Sequence, residues 1–142
     1  MLEVQLESTL ESVDAGEEMV QGFAAQHGFP DEAVHQIGMA VRESLVNAVV
    51  HGNCFNANKK VSLNAAVSSD GLTIRIQDQG VGFDLDGVPN PLAEENLLRK
   101  TGRGLFLVRA FMDKLYSRRL SPHGTELVMV KNYASTAIKE EG

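Results

Sequence analysis

The chain has 142 residues, 43% of them hydrophobic, and a formal net charge of −6. That length suits one domain with a real core, and the negative balance argues against a broad nucleic-acid surface, leaving room for a local basic patch at most. A single cysteine, Cys54, excludes an intramolecular disulfide and a thiolate metal cluster, and no apolar run approaches the ~20 residues of a membrane span.

Residues 2–8 alternate apolar and polar and predict a strand. This acidic opening lacks the basic start and apolar run of a signal peptide, so a cytoplasmic protein is expected. Asp14 with Glu17 three residues later predicts a capping-box variant and a helix over about 15–27, ended by Gly28 and Pro30. A second helix is expected over about 31–52. Its residues Val34, Ile37, Val41, Leu45 and Ala48 step by three and four, as one buried stripe requires, and Gly52 suits its C-terminus. Residues 60–68 and 72–78, rich in Val, Leu and Ile, flank Ser69-Asp70-Gly71 and read as a hairpin.

Residues 84–103 carry Gly87, Pro89, Asn90 and Pro91 ahead of Leu92 to Arg99. They read as a loop with at most a short helix, and so long a connection in a compact domain is usually functional or mobile. A third helix begins near Gly104, with Leu105, Val108, Phe111 and Met112 on one side. Residues 114–120 and 125–131 form a second hairpin around Ser121-Pro122-His123-Gly124, and the tail after Tyr133 is polar. One domain over 1–133 with a frayed tail at 134–142 is expected. The order β-α-α-β-β-loop-α-β-β groups its helices and hairpins, which favours an α+β two-layer sandwich over a doubly wound sheet.

Glu43, Asn47 and His51 lie four apart. Each such step turns an α-helix by about 400°, so the three line one face, distinct from the apolar stripe. A solvated polar face explains this as well as a site does. As a site, Asn47 offers a neutral amide oxygen to a hard cation already held by phosphate oxygens, and Glu43 accepts a proton from an attacking hydroxyl. His51 either packs against a base or closes the helix end, the latter slightly preferred. Asp78 follows a strand and precedes Gly80 and Gly82. That segment is either a turn or an adenine site, in which the carboxylate accepts from the exocyclic amine and the glycines let backbone approach the ligand. Lys100-Thr101-Gly102-Arg103-Gly104-Leu105 is either a glycine-rich helix entry or a place where free N–H groups and two cations meet phosphates. Thr125 either turns a hairpin corner or adds a hydroxyl to the pocket.

These segments, in this order, resemble the GHKL-type ATPases of the Bergerat nucleotide-binding fold over roughly residues 5–132. Within them the chain is most similar to the anti-sigma-factor serine/threonine kinases. Glu43 through Gly52 resembles the N-box, implying Glu43 as general base and Asn47 as the magnesium ligand. Asp78 through Asp84 resembles the adenine box. Gly102-Arg103-Gly104-Leu105 resembles the glycine box behind an ATP lid at about 84–103, and Gly124-Thr125 the last box. Lys100 departs from many relatives, which have another glycine there. Glu43 stands where histidine kinases usually have asparagine, and no upstream dimerisation helix with a phosphoacceptor histidine is seen.

The resemblance implies a mixed, mostly antiparallel sheet with helices on one face, and ATP/ADP and Mg²⁺ as cofactors. It also implies an anti-sigma-factor antagonist as phosphorylation substrate, a sigma factor or other regulated protein as partner, and a homodimer surface before residue 30. Neither a membrane nor direct nucleic-acid contact is expected. A nucleotide-gated binding module or a stand-alone ATPase would use the same pocket.

Overall fold

The computed structural model describes residues 1–80, 104–120 and 123–134. The elements run in the order β1 (Leu2–Glu7), α1 (Leu10–Gln26), α2 (Asp31–Val46), a π-helical turn (Asn47–Gly52), β2 (Lys60–Val67), β3 (Gly71–Gln77), α3 (Gly104–Phe111), β4 (Lys114–Arg119) and β5 (Thr125–Asn132). The strands form one five-stranded sheet in the order β1-β2-β3-β5-β4, antiparallel at every described pairing. This is the expected α+β two-layer arrangement.

Period-two alternation sorts the faces of the sheet. In β3, Leu72, Ile74 and Ile76 are buried while Arg75 is exposed. Val61, Leu63 and Ala65 of β2 and Leu127 and Met129 of β5 join the same core. On α1 the buried set is Val13, Gly16, Val20 and Ala24. On α2 it includes Ala33, Ile37, Ala40, Val41 and Leu45. Each stripe follows the three-and-four spacing of one helical face, and burying each large aliphatic contributes about 1.5–3 kcal/mol. α1 packs on α2, and α3 packs on α2. No described helix is long and apolar enough to cross a membrane.

Two boundaries differ from expectation. α1 begins at Leu10, because Thr9 rather than Asp14 caps it: Thr9 Oγ1 accepts from Ser12 N–H at 3.2 Å. Asp14 instead faces Arg42 of α2 at 2.6 Å, with Glu17 on the same guanidinium at 2.9 Å. The second helix does reach residue 52, but its α-helical part ends at Val46 and the last turn is π-helical.

Candidate functional site

The π turn runs into the segment after β3. Gly52 lies so close to Asp78 that a Cβ there would overlap carboxylate Oδ2 and sit 2.6 Å from Cγ. A Cβ on Gly80 would sit 2.5 Å from the carbonyl carbon of Gly52. Glycine at 52 makes room for the Asp78 carboxylate, and glycine at 80 lets its backbone touch that of Gly52. From the other side comes Gly124, at φ +112°, where an added Cβ would lie 2.5 Å from the Asp78 carbonyl oxygen. Gly124→Ala therefore combines a left-handed backbone with a steric overlap. It is expected to cost about 1–3 kcal/mol, read as a lower denaturant midpoint; an unchanged midpoint would show that the 78–80 segment yields freely.

Asp78 continues the β3–β5 ladder one step past Gln77, its N–H donating to Thr125 O at 3.0 Å. Its Oδ1 accepts from Gly80 N–H at 3.0 Å and Thr125 N–H at 3.2 Å. Among the described residues no donor reaches Oδ2. Burial pushes the carboxyl up from its ordinary range, while the two backbone N–H groups and the charge of Lys59 pull the other way. Three segments far apart in sequence, at 47–52, 78–80 and 124–125, thus close on one half-buried carboxylate whose second oxygen is open to a donor.

Ser44 helps to set the rotation of α2: it is buried, and its single hydroxyl proton is shared between Ala40 O at 2.8 Å and Met129 Sδ of β5 at 3.2 Å. Glu43 and Asn47 lie off that contact face and are half-buried. They are one turn, about 6 Å, apart along the helix. The four-residue stack holds only this far. His51 lies in the wider π turn, where the α-helical register no longer applies, and is exposed.

Of the other sequence-predicted residues, Gly82, Lys100, Thr101, Gly102 and Arg103 fall outside the described residues. Gly104 and Leu105 open α3. That helix is fastened at its far end by Lys131, a buried residue of β5 whose Nζ donates to Phe111 O at 2.7 Å. A cation at a helix C-terminus also meets the negative end of the helix dipole.

Sequence reasoning gave no role to Asn53 or Gln79 and read Gly52 as a helix end; the structure sets all three directly around Asp78. The available signal was a polar residue, Asn53, in the turn just past an apolar helix stripe.

A family model described as the histidine kinase-like ATPase domain matches residues 6–131. The chain is 30% identical over 145 residues to the serine-protein kinase RsbW of Listeria monocytogenes, covering 96% of this chain and 90% of that protein. It is 28% identical over 143 residues to the RsbW of Oceanobacillus iheyensis, covering 96% and 89%. Against the anti-sigma F factor of Clostridium perfringens it is 31% identical over 114 residues, covering 79% and 81%.

Proposed function

The chain belongs to the histidine kinase-like ATPase domain family, and on that footing we propose that it is an ATP-dependent serine/threonine protein kinase acting as an anti-sigma regulator. Its substrate is an antagonist protein, and the phosphorylation state of that antagonist decides which partner, antagonist or sigma factor, the kinase holds. The observation that carries the reading is the Asp78 carboxylate, with Oδ1 taken by two backbone N–H groups and Oδ2 left without a donor among the described residues.

An adenine fits that environment. Its exocyclic amine donates where guanine presents an acceptor. Asp78 accepts the amine, and Gly80, packed on the Gly52 backbone, holds the segment that carries this carboxylate. Thr125, whose backbone bonds Asp78, would add its hydroxyl at the same end, while His51 would serve to close the helix end. Bound ATP supplies the transferable phosphoryl group. Its phosphates would meet Lys100, Thr101, Gly102 and Arg103 together with Gly104 and Leu105 at the start of α3, since basic residues and a helix N-terminus suit anions.

Asn47 would give its carboxamide oxygen to Mg²⁺. Among the described residues no three His, Cys, Asp or Glu side chains form a metal site, so the ion would be held chiefly by phosphate oxygens, the usual arrangement for magnesium. Glu43, one turn earlier, takes the proton of the attacking serine hydroxyl. The segment at about 84–103 would serve as a lid over the nucleotide. The antagonist and sigma factor, a homodimer and a cytoplasmic location complete the proposal.

The direct test is the intact mass of a co-purified antagonist before and after incubation with Mg-ATP. The expected result is one added phosphoryl group on a serine or threonine. Nucleotide-dependent binding with unchanged mass would replace the kinase by a gated binding module, and phosphate release without a phosphoprotein would make it an ATPase.

A further inference from the structure

We propose that Asn53 is a positioning residue for the nucleotide site, its buried carboxamide holding the Asp78–Gly80 segment against the rest of the fold. This rests on the reading of Asp78 as the adenine acceptor.

Asn53 is 1% exposed and Ser8 is 2% exposed. Asn53 Oδ1 accepts from Gln79 N–H at 2.7 Å. Its Nδ2 donates to Ser8 Oγ at 2.9 Å and to Lys60 O at 3.0 Å. The Ser8 hydroxyl in turn donates to Lys59 O at 2.6 Å. The partners decide the amide orientation, since the reverse would set donor against donor at Gln79 and acceptor against acceptor at Lys60. Aspartate cannot serve in this seat, because it lacks both Nδ2 protons. Gln79 is gripped a second time, its Oε1 accepting from Lys60 N–H at 2.6 Å. Asp78 is therefore held on one side by the β5 ladder at Thr125 and on the other by Asn53 through the next residue.

The backbone around Asn53 is shaped to keep it inward. Asn53 N–H donates to Ala48 O at 2.8 Å, closing the wide turn. In a plain α-helix, one residue fewer per turn would rotate the side chain by about 100°, away from Gln79. Immediately afterwards Cys54 and Phe55 take φ of 52° and 58°, a left-handed conformation that L-residues avoid. Phe55 N–H caps the reversal on Val49 O at 2.9 Å. A π turn and consecutive left-handed residues at one helix end mark a site where geometry is kept against local preference.

If Asn53 holds the segment, its loss leaves Asp78 in the binding position only part of the time, and the apparent dissociation constant rises by the inverse of that fraction. The experiment compares Asn53→Ala, Asn53→Asp, Ser8→Ala and Asp78→Asn. ADP titration calorimetry reads affinity, and amide exchange reads the nucleotide-free protein. Asn53→Ala and Asn53→Asp are expected to weaken ADP by about tenfold or more, and Ser8→Ala by a smaller factor. In Asn53→Ala the Gln79 amide is expected to exchange about tenfold faster while the amides of Ile74 and Ile76 in β3 keep their protection. Unchanged ADP affinity in Asn53→Ala beside weakened binding in Asp78→Asn overturns the positioning role and leaves the adenine reading standing. Unchanged affinity in both overturns the adenine reading as well. Lost protection throughout β3 makes Asn53 a residue of general stability and likewise overturns the proposal. Should Asn53→Ala fail to fold, Ser8→Ala decides by the same two readouts.

Discussion

Asp78→Asn is expected to weaken ATP binding by roughly ten- to a hundredfold while leaving the melting temperature unchanged or higher. The two halves have separate causes. Asparagine keeps an oxygen at the Oδ1 position, where it still accepts from Gly80 and Thr125. At the Oδ2 position it places an amine, which meets the adenine amine donor to donor. A buried mismatch of this kind costs about 1–3 kcal/mol, and each 1.4 kcal/mol is about a tenfold change in affinity.

The stability half follows from the carboxyl's raised pKa, caused by burial and only partly offset by the two N–H groups and Lys59. Between its unfolded and folded pKa the native state holds the proton more readily. Stability therefore falls as pH rises through that window, and the full penalty persists above it. At neutral pH the ionised Asp78 weighs against the fold, and asparagine removes that charge. The gap between variant and wild type should close as pH falls below the ordinary carboxylate range. Calorimetric titration with thermal melts across pH checks both halves; full ATP affinity, or a clear drop in melting temperature at neutral pH, would contradict them.

That carboxylate was legible in the sequence because its signals are local. Ile74 and Ile76 alternate into the core, and Asp78 and Gly80 follow at the strand end. The helices and hairpins were legible for the same reason, since Ile37, Val41 and Leu45 keep one periodicity. Long-range partners were not legible. Asp14 looked like a cap because Glu17 follows it at the right spacing, yet Arg42, 28 residues away, takes its carboxylate, and Thr9 caps instead. The π turn leaves no mark on Ala48-Val49-Val50, which would be apolar in an α-helix as well. Asn53 reads as an ordinary turn residue until Ser8, 45 residues before it, and Gln79, 26 after it, come together around its amide. The difference is physical: periodicity reports which face is buried, whereas a hydrogen-bond network depends on the register between elements.

Glu43→Gln is expected to lower phosphoryl transfer to the antagonist by about a hundred- to ten-thousandfold, the usual contribution of a positioned general base, with ATP affinity within about twofold. The substitution is nearly isosteric, and the packing of α2 rests on other residues: Val41 and Leu45 in the core and Ser44 on Met129. Little change in melting temperature is therefore expected. A serine hydroxyl is a weak nucleophile until a base takes its proton, and a glutamine amide cannot do so. The expected signature is thus a loss in kcat with nucleotide binding retained. Asn47→Ala should show the opposite split, losing Mg²⁺-dependent nucleotide affinity first, because its amide oxygen serves the ion and not the hydroxyl. Measuring both variants by calorimetry and by antagonist mass separates the two roles, although the residues sit only one helical turn apart. Transfer near the wild-type rate in Glu43→Gln with ATP bound would exclude Glu43 as the base and assign the proton to another acceptor.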